Sequence, residues 1–145
     1  MKIFLGGTCN ESKWRDELIN NLSGSINYFN PLVDDWTPEC QEEEIRQRKL
    51  CDFVLYVITP KMTGLYSIAE AVDDSNKQPY KTIFCVLDED EGLYFSDGQR
   101  RSLFAVSKLI EKNGGKIFIS IYSTAKWLND LALIENNEPR EKVEL

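Results

Sequence analysis

The chain has 145 residues, 42% hydrophobic and 28% charged, with a formal net charge of −7, which suits one domain with one sizeable core. The acidic balance weighs against a broad grip on nucleic-acid phosphates or an anionic membrane surface, although backbone amides at a helix start still allow a local anion site. Histidine is absent, which excludes Ser-His-Asp and Cys-His catalysis and every His-containing metal site and leaves proton transfer and nucleophilic attack to Asp, Glu, Cys, Tyr or Lys.

Lys2–Leu5 reads as a first strand and not as a signal-peptide core, and no run approaches the ~18 apolar residues of a membrane span. A cytoplasmic, reduced protein is the expectation. Residues 11–22 follow as an amphipathic helix, with Trp14, Leu18 and Leu22 at i, i+4 and i+8. Ile26–Phe29 is the second strand. Residues 40–50 read as a polar helix whose early Glu42, Glu43 and Glu44 and late Arg46, Arg48 and Lys49 match the helix dipole. Phe53–Ile58 is a continuous apolar run of the buried-strand type. After Thr59, Pro60 and Gly64, the Ser67-x-x-Glu70 pattern predicts a capping box and a helix over 67–75, with Glu70 in its first turn. Thr82–Leu87 is the fourth strand and the acidic Asp88–Glu91 a solvated loop. Leu103, Val106, Leu109 and Ile110 mark a helix ended by Gly114-Gly115. Lys116–Ile121 is the fifth strand, and Trp127, Leu128, Leu131 and Ile134 mark the last helix. One domain over 1–134 and a polar tail over 135–145 complete the reading. Cys9, Cys40, Cys51 and Cys85 form no C-x-x-C pair, so no metal or redox motif is expected, and Cys51 and Cys85 read as small core residues.

Strand–helix alternation in short units implies a parallel α/β sheet with helices on both faces. Five strands suggest the flavodoxin-like order 2-1-3-4-5, whose switch point lies between strands 1 and 3. Glu70 follows strand 3 and the Gly6-Gly7-Thr8 loop follows strand 1, so both are expected at one ligand-binding crevice.

Each candidate residue has a plainer reading beside it. Glu70 serves equally as a helix-start carboxylate favoured by the dipole. Glu44 lies in a run of three glutamates, and such runs usually form a solvated face. Asp34-Asp35-Trp36 reads either as a lining for a sugar or base or as a turn before a helix. Gly6-Gly7-Thr8 permits close backbone approach to a ligand but lacks dinucleotide or P-loop spacing. Asp73 and Asp74 share a helix face with Glu70 at i+3 and i+4 and are expected to be exposed.

These residues resemble a known family. Phe4-Leu5-Gly6-Gly7-Thr8-Cys9 with Trp14-Arg15, Tyr28-Phe29-Asn30-Pro31 with Asp34-Asp35-Trp36-Thr37-Pro38, and Thr59-Pro60-Lys61-Met62-Thr63-Gly64 through Ser67-Ile68-Ala69-Glu70 are similar to the nucleoside 2-deoxyribosyltransferases, and to the related domains of bacteria and phages. The resemblance covers most of residues 1–90. It implies that Glu70 attacks C1′ of a deoxyribose, expels the base and forms a glycosyl ester that a second base displaces. It also implies that Glu44, 26 residues earlier at a position usually held by Asp, holds the sugar and base, and that Phe4 lines the pocket. Gly6, Gly7, Thr8, Met62, Gly64 and Ser67 are implied around the substrate, with Asp34, Asp35 and Trp36 at its edge. The departing base also needs a proton, and Asp34 or Asp35 is the expected donor. Gly64 stands where transferases of the family carry a further pocket acid. A small-molecule nucleoside or nucleotide with a nucleobase, no cofactor and no metal, and a homo-oligomer are the remaining implications. Related hydrolases take nucleoside 5′-monophosphates, whose phosphate Thr8, Thr63 and Ser67 would meet. A non-catalytic nucleotide-binding module is the competing class, and a flavodoxin-like redox or receiver domain fits poorly because no acidic pair follows strand 1.

Overall fold

The computed structural model describes residues 1–138. Its sheet contains β1 (Lys2–Gly7), β2 (Asn27–Phe29), β3 (Phe53–Ile58), β4 (Thr82–Val86) and β7 (Lys116–Phe118). The strands are all parallel, in the order β2-β1-β3-β4-β7. With β7 as the fifth strand of the sheet, this is the doubly wound order expected from the sequence. The helices are α1 (Trp14–Asn21), α2 (Pro38–Leu50), α3 (Tyr66–Lys77), α4 (Asp97–Asn113) and α5 (Ile121–Asn137).

Side-chain alternation along the strands feeds two cores. Ile3, Leu5, Leu55, Val57, Ile83 and Cys85 face one side and pack with Trp14 and Leu18 of α1 and Ile121, Ala125 and Leu128 of α5. Phe4, Val54, Tyr56, Ile58 and Phe84 face the other and pack with Ala71 of α3 and Leu103 and Ile110 of α4. Burial on both faces explains why β3 reads as an uninterrupted apolar run. Cys51 and Cys85 are both buried, as expected.

Several boundaries move for local chemical reasons. Helix α2 begins earlier than 40, because Thr37 caps it through the Cys40 N–H and Pro38 takes its first position. Helix α4 begins at Asp97, behind a full Ser96–Gln99 capping box, and ends on left-handed Gly114 (φ 105°). Ser120 caps α5, so the fifth strand stops at Phe118 and Ile121 is helical. Helix α5 continues to Asn137, into the expected tail, and 139–145 lie outside the described residues.

The solvated loop expected at Asp88–Glu91 is instead half of a hairpin, β5 (Glu89–Asp90) with β6 (Leu93–Tyr94). Glu91 (φ 48°) and Gly92 (φ 83°) form its turn, both with the positive φ that tight hairpins favour. The hairpin braces the carboxyl end of the sheet: Asp90 accepts a hydrogen bond from Ser12 Oγ, and Glu91 pairs with Lys61 at 3.1 Å.

Gly7 joins β1 to the following loop at φ 115°, and a Cβ there would lie 2.1 Å from the Val57 carbonyl oxygen. Gly7→Ala is therefore expected to cost about 3 kcal/mol or more, from the left-handed backbone and the clash together. Urea unfolding monitored by tryptophan fluorescence would measure this loss.

Candidate active site

The loops after β1 and β3 meet across the crevice between these neighbouring strands. Thr8 N–H donates to the Val57 carbonyl at 2.9 Å, and Thr8 Oγ1 accepts from Thr59 N–H at 3.0 Å. Asn10 Nδ2 donates to the Lys61 carbonyl at 2.9 Å and to Thr63 Oγ1 at 2.8 Å. Between these ties lies a cavity of about 190 Å³, lined by Gly7, Thr8, Cys9, Asn10, Ile58, Met62, Thr63, Gly64 and Ser67. Five of the residues read from the sequence as substrate-binding, Gly7, Thr8, Met62, Gly64 and Ser67, thus come together. Among the described residues, no carboxylate lines this cavity.

Arg15 lies behind the same loop, 2% exposed. Its Nε and Nη2 donate to the Leu5 carbonyl at 3.1 and 3.0 Å, and its Nη1 donates to the Thr8 carbonyl at 2.8 Å. Those partners are neutral, so a buried guanidinium sits beside the cavity with no carboxylate paired to it among the described residues. An uncompensated buried charge is costly: burial pulls the Arg15 pKa down, against an opposing pull from the Cys9 thiol.

The acids gather on the α2–α3 side. Glu70 Oε1 accepts from Arg48 Nη1 at 2.8 Å. Arg48 Nη2 donates to Asp74 Oδ1 at 2.9 Å, and the Tyr56 hydroxyl donates to Asp74 Oδ2 at 2.6 Å. Tyr56 is fully buried and Asp74 only 4% exposed, while the Glu70 and Arg48 side chains keep 20% and 18%. Glu44, one turn before Arg48 on α2, is half-buried and acts on Glu70 through its charge.

The expected capping box does not form. Helix α3 starts at Tyr66 with Leu65 at its cap and no side-chain cap bond, so Ser67 lies inside the helix and Glu70 enters its second turn. The dipole falls off within the first turn, and burial dominates instead. Burial raises the Glu70 pKa; Arg48 pulls it down, Asp74 and Glu44 push it up, and the net direction is up. Burial likewise raises Glu44 against the pull of Arg48. Burial lowers Arg48, but Tyr56, Asp74 and Glu70 outweigh it and the guanidinium is held firmly charged. Burial and then Asp74 push the Tyr56 phenol upward, keeping it a hydrogen-bond donor.

Asp74 is thus buried rather than exposed, because Tyr56 and Arg48 satisfy both its oxygens; Asp73 is exposed. Ser67 and Glu70 lie three residues apart on α3, on one face, so the cavity and the acid cluster adjoin. Phe4 and Gly6 lie beneath them. Phe4 is buried and stacks on Phe29 at 5.6 Å, and a Cβ on Gly6 would stand 3.0 Å from the Tyr56 ring and 3.3 Å from that of Phe4. Asp34, Asp35 and Trp36 are exposed on the β2–α2 loop and line none of the described cavities.

A doubly wound sheet with a crevice at its β1–β3 switch point, and two half-buried glutamates close by, has the geometry of a ligand site in an open α/β sheet. The family model for nucleoside 2-deoxyribosyltransferase-like proteins matches residues 1–89, and the chain belongs to that family. Neither a curated protein nor a solved structure gives a match. No helix among the described residues is long and apolar enough to cross a membrane.

Proposed function

We propose that the chain cleaves the N-glycosidic bond of a (deoxy)nucleoside or nucleotide through a covalent glycosyl ester on Glu70, then passes the 2-deoxyribosyl group to another base. The observation that carries this reading is the state of Glu70. It sits beside the switch-point crevice at the position that resembles the family nucleophile, and its hydrogen bonds within the described residues use Oε1 only. In the first step Oε2 attacks C1′, the C1′–N bond breaks, and its electron pair leaves with the base. In the second, a nitrogen of the incoming base attacks C1′ and the ester oxygen leaves as the Glu70 carboxylate. The transition states resemble an oxocarbenium ion, which the nearby carboxylates stabilise.

Glu44 replaces Asp34 and Asp35 as the proton donor to the departing base. Burial favours its neutral form, whereas both aspartates are exposed. Two half-buried glutamates around one arginine titrate as a pair. Turnover is expected to be bell-shaped in pH. It falls on the acid side where Glu70 gains its proton, a limb that burial shifts upward from the ordinary glutamate position, and on the basic side where the pair loses its second proton. A kcat profile across the acidic to neutral range would measure both limbs.

A hydrolase acting on nucleoside 5′-monophosphates is the second reading, with water resolving the ester. The carboxylate-free cavity favours it: Thr8, Thr63 and Ser67 offer hydroxyls suited to a phosphate. Chromatography of reactions with deoxynucleosides, their 5′-monophosphates and an excess of a second base separates the readings. A new nucleoside indicates transfer, free base alone indicates hydrolysis, and unchanged substrates reject both in favour of a nucleotide-binding module.

A further inference from the structure

We infer that Asp74, anchored by the buried Tyr56 hydroxyl, and Arg48, anchored by Asp74, are positioning residues that aim Glu70 and set the pH at which it becomes an anion. The inference rests on Glu70 as the nucleophile for its catalytic meaning, although its structural part can be measured without turnover.

The geometry is a chain of four side chains from three elements. Tyr56 on β3 donates to one oxygen of Asp74 at 2.6 Å. The other oxygen of Asp74 accepts from Arg48 Nη2 at 2.9 Å, and Arg48 Nη1 donates to Glu70 Oε1 at 2.8 Å. Tyr56 is fully buried on a central strand, so the chain starts from the packed core of the fold. Asp74 and Glu70 lie four residues apart on α3, one above the other. The planar guanidinium spans them with one nitrogen each, a geometry that a lysine ammonium does not reproduce.

This arrangement does two things to Glu70. It fixes Oε1, so the side chain keeps one rotamer and Oε2 is the free oxygen. It also shares one cation between two carboxylates, so Arg48 neutralises Glu70 only in part. The remaining Arg48 Nε is buried and unpartnered, which marks the guanidinium as placed for its two carboxylates at the cost of a third hydrogen bond. The groups acting on Glu70 are Arg48 and Glu44 from α2, Asp74 from its own helix and Tyr56 from β3.

Opposite substitutions then move Glu70 in opposite directions. Arg48→Gln removes the attractive charge and raises the midpoint of Glu70. Asp74→Asn removes a repulsive charge and leaves Arg48 to Glu70 alone, which lowers it. Arg48→Lys keeps the charge but not the two-pronged hold, so the midpoint stays close to that of the wild type while kcat falls on the order of 100-fold and KM changes little. A loss of packing alone does not give shifts of opposite sign.

The experiment is a carbon-13 NMR titration of the side-chain carboxyls in the full chain, with Glu70 assigned by its absence in Glu70→Gln, run beside kcat–pH profiles. Opposite midpoint shifts in Arg48→Gln and Asp74→Asn, with the acid limb of kcat following each, support the inference and the nucleophile reading together. The same shifts in a protein whose turnover is absent, or ignores them, support the positioning of Glu70 and reject Glu70 as the nucleophile. Midpoints unmoved, or moved in one direction by both variants, overturn the inference. Should Asp74→Asn not fold, the partly exposed Arg48→Gln and Arg48→Lys decide alone: a raised midpoint in the first and a near wild-type midpoint in the second support it, and any other pair of results overturns it.

Discussion

Asp74→Ala is expected to destabilise the folded chain by about 3 kcal/mol or more, the range seen when one partner of a buried ion pair is removed. Asp74 is 4% exposed and satisfies two buried donors, the Tyr56 hydroxyl and Arg48 Nη2. Deleting it leaves the phenol without its acceptor. Arg48 retains Glu70 and some solvent, which places the loss at the lower end of that range. Tyr56→Phe alone is expected to cost less, about 1–2 kcal/mol, since it removes a hydrogen bond and leaves Asp74 with Arg48. Added to Asp74→Ala, Tyr56→Phe should cost almost nothing further, because the acceptor of its hydroxyl is already gone. Denaturant unfolding of the two single variants and the double variant gives all three values. Equal and additive losses would mean that Tyr56 and Asp74 act independently.

Glu70→Gln has the largest expected effect on activity. Removing a covalent nucleophile lowers kcat on the order of 10⁴-fold or more, since only binding and the remaining electrostatics stay. The amide keeps the shape of the carboxylate and its contact with Arg48, so the fold should survive with stability within about 1 kcal/mol of the wild type. The sign of the residual difference follows from the raised pKa of Glu70. A carboxyl that binds its proton more tightly when folded destabilises the fold as pH rises through its folded pKa, and this penalty disappears below the unfolded pKa. The wild type should therefore be the less stable of the two at neutral pH, and the gap should close on acidification. Steady-state turnover and thermal melts at several pH values check both halves.

The sheet was legible in the sequence because its three central strands are buried on both faces, and their apolar runs leave no competing helical period. The crevice followed from strand order, which set the loop of Gly7 and Thr8 against the segment after strand 3, and the family resemblance named Met62, Gly64 and Ser67 within it. Local chemistry misled where two signals overlapped. Ser67-x-x-Glu70 matches a capping box, yet the chain turns into the helix at Tyr66, so the glutamate is governed by burial and by Arg48. The hairpin after β4 was hidden by its acidic composition; Glu91-Gly92, two residues at positive φ, was the available turn signal. Asp74 and Arg48 were seen singly, one as an exposed helix acid and one as a charge at a helix end. Glu44 with Arg48, and Glu70 with Asp74, each stand at i, i+4, which gives one helix face of mixed sign and one that is acidic. Their meeting is a tertiary fact, set by how α2 and α3 pack beside β3, and no local pattern reports it. The exposed positions of Asp34, Asp35 and Trp36 had no sequence signal either, since adjacent acids beside an aromatic are compatible with a pocket rim and with a turn.

The central claim is that Glu70 carries the sugar as an ester. Rapid acid quench of a reaction with a deoxynucleoside or its 5′-monophosphate, followed by proteolysis and mass spectrometry, tests it directly. The expected result is one deoxyribosyl group on the peptide that contains Glu70, absent in Glu70→Gln, with retained configuration at C1′ in the product, as two successive displacements require. Turnover with no adduct and an inverted product, or an adduct on another carboxylate such as Glu44, would contradict the account.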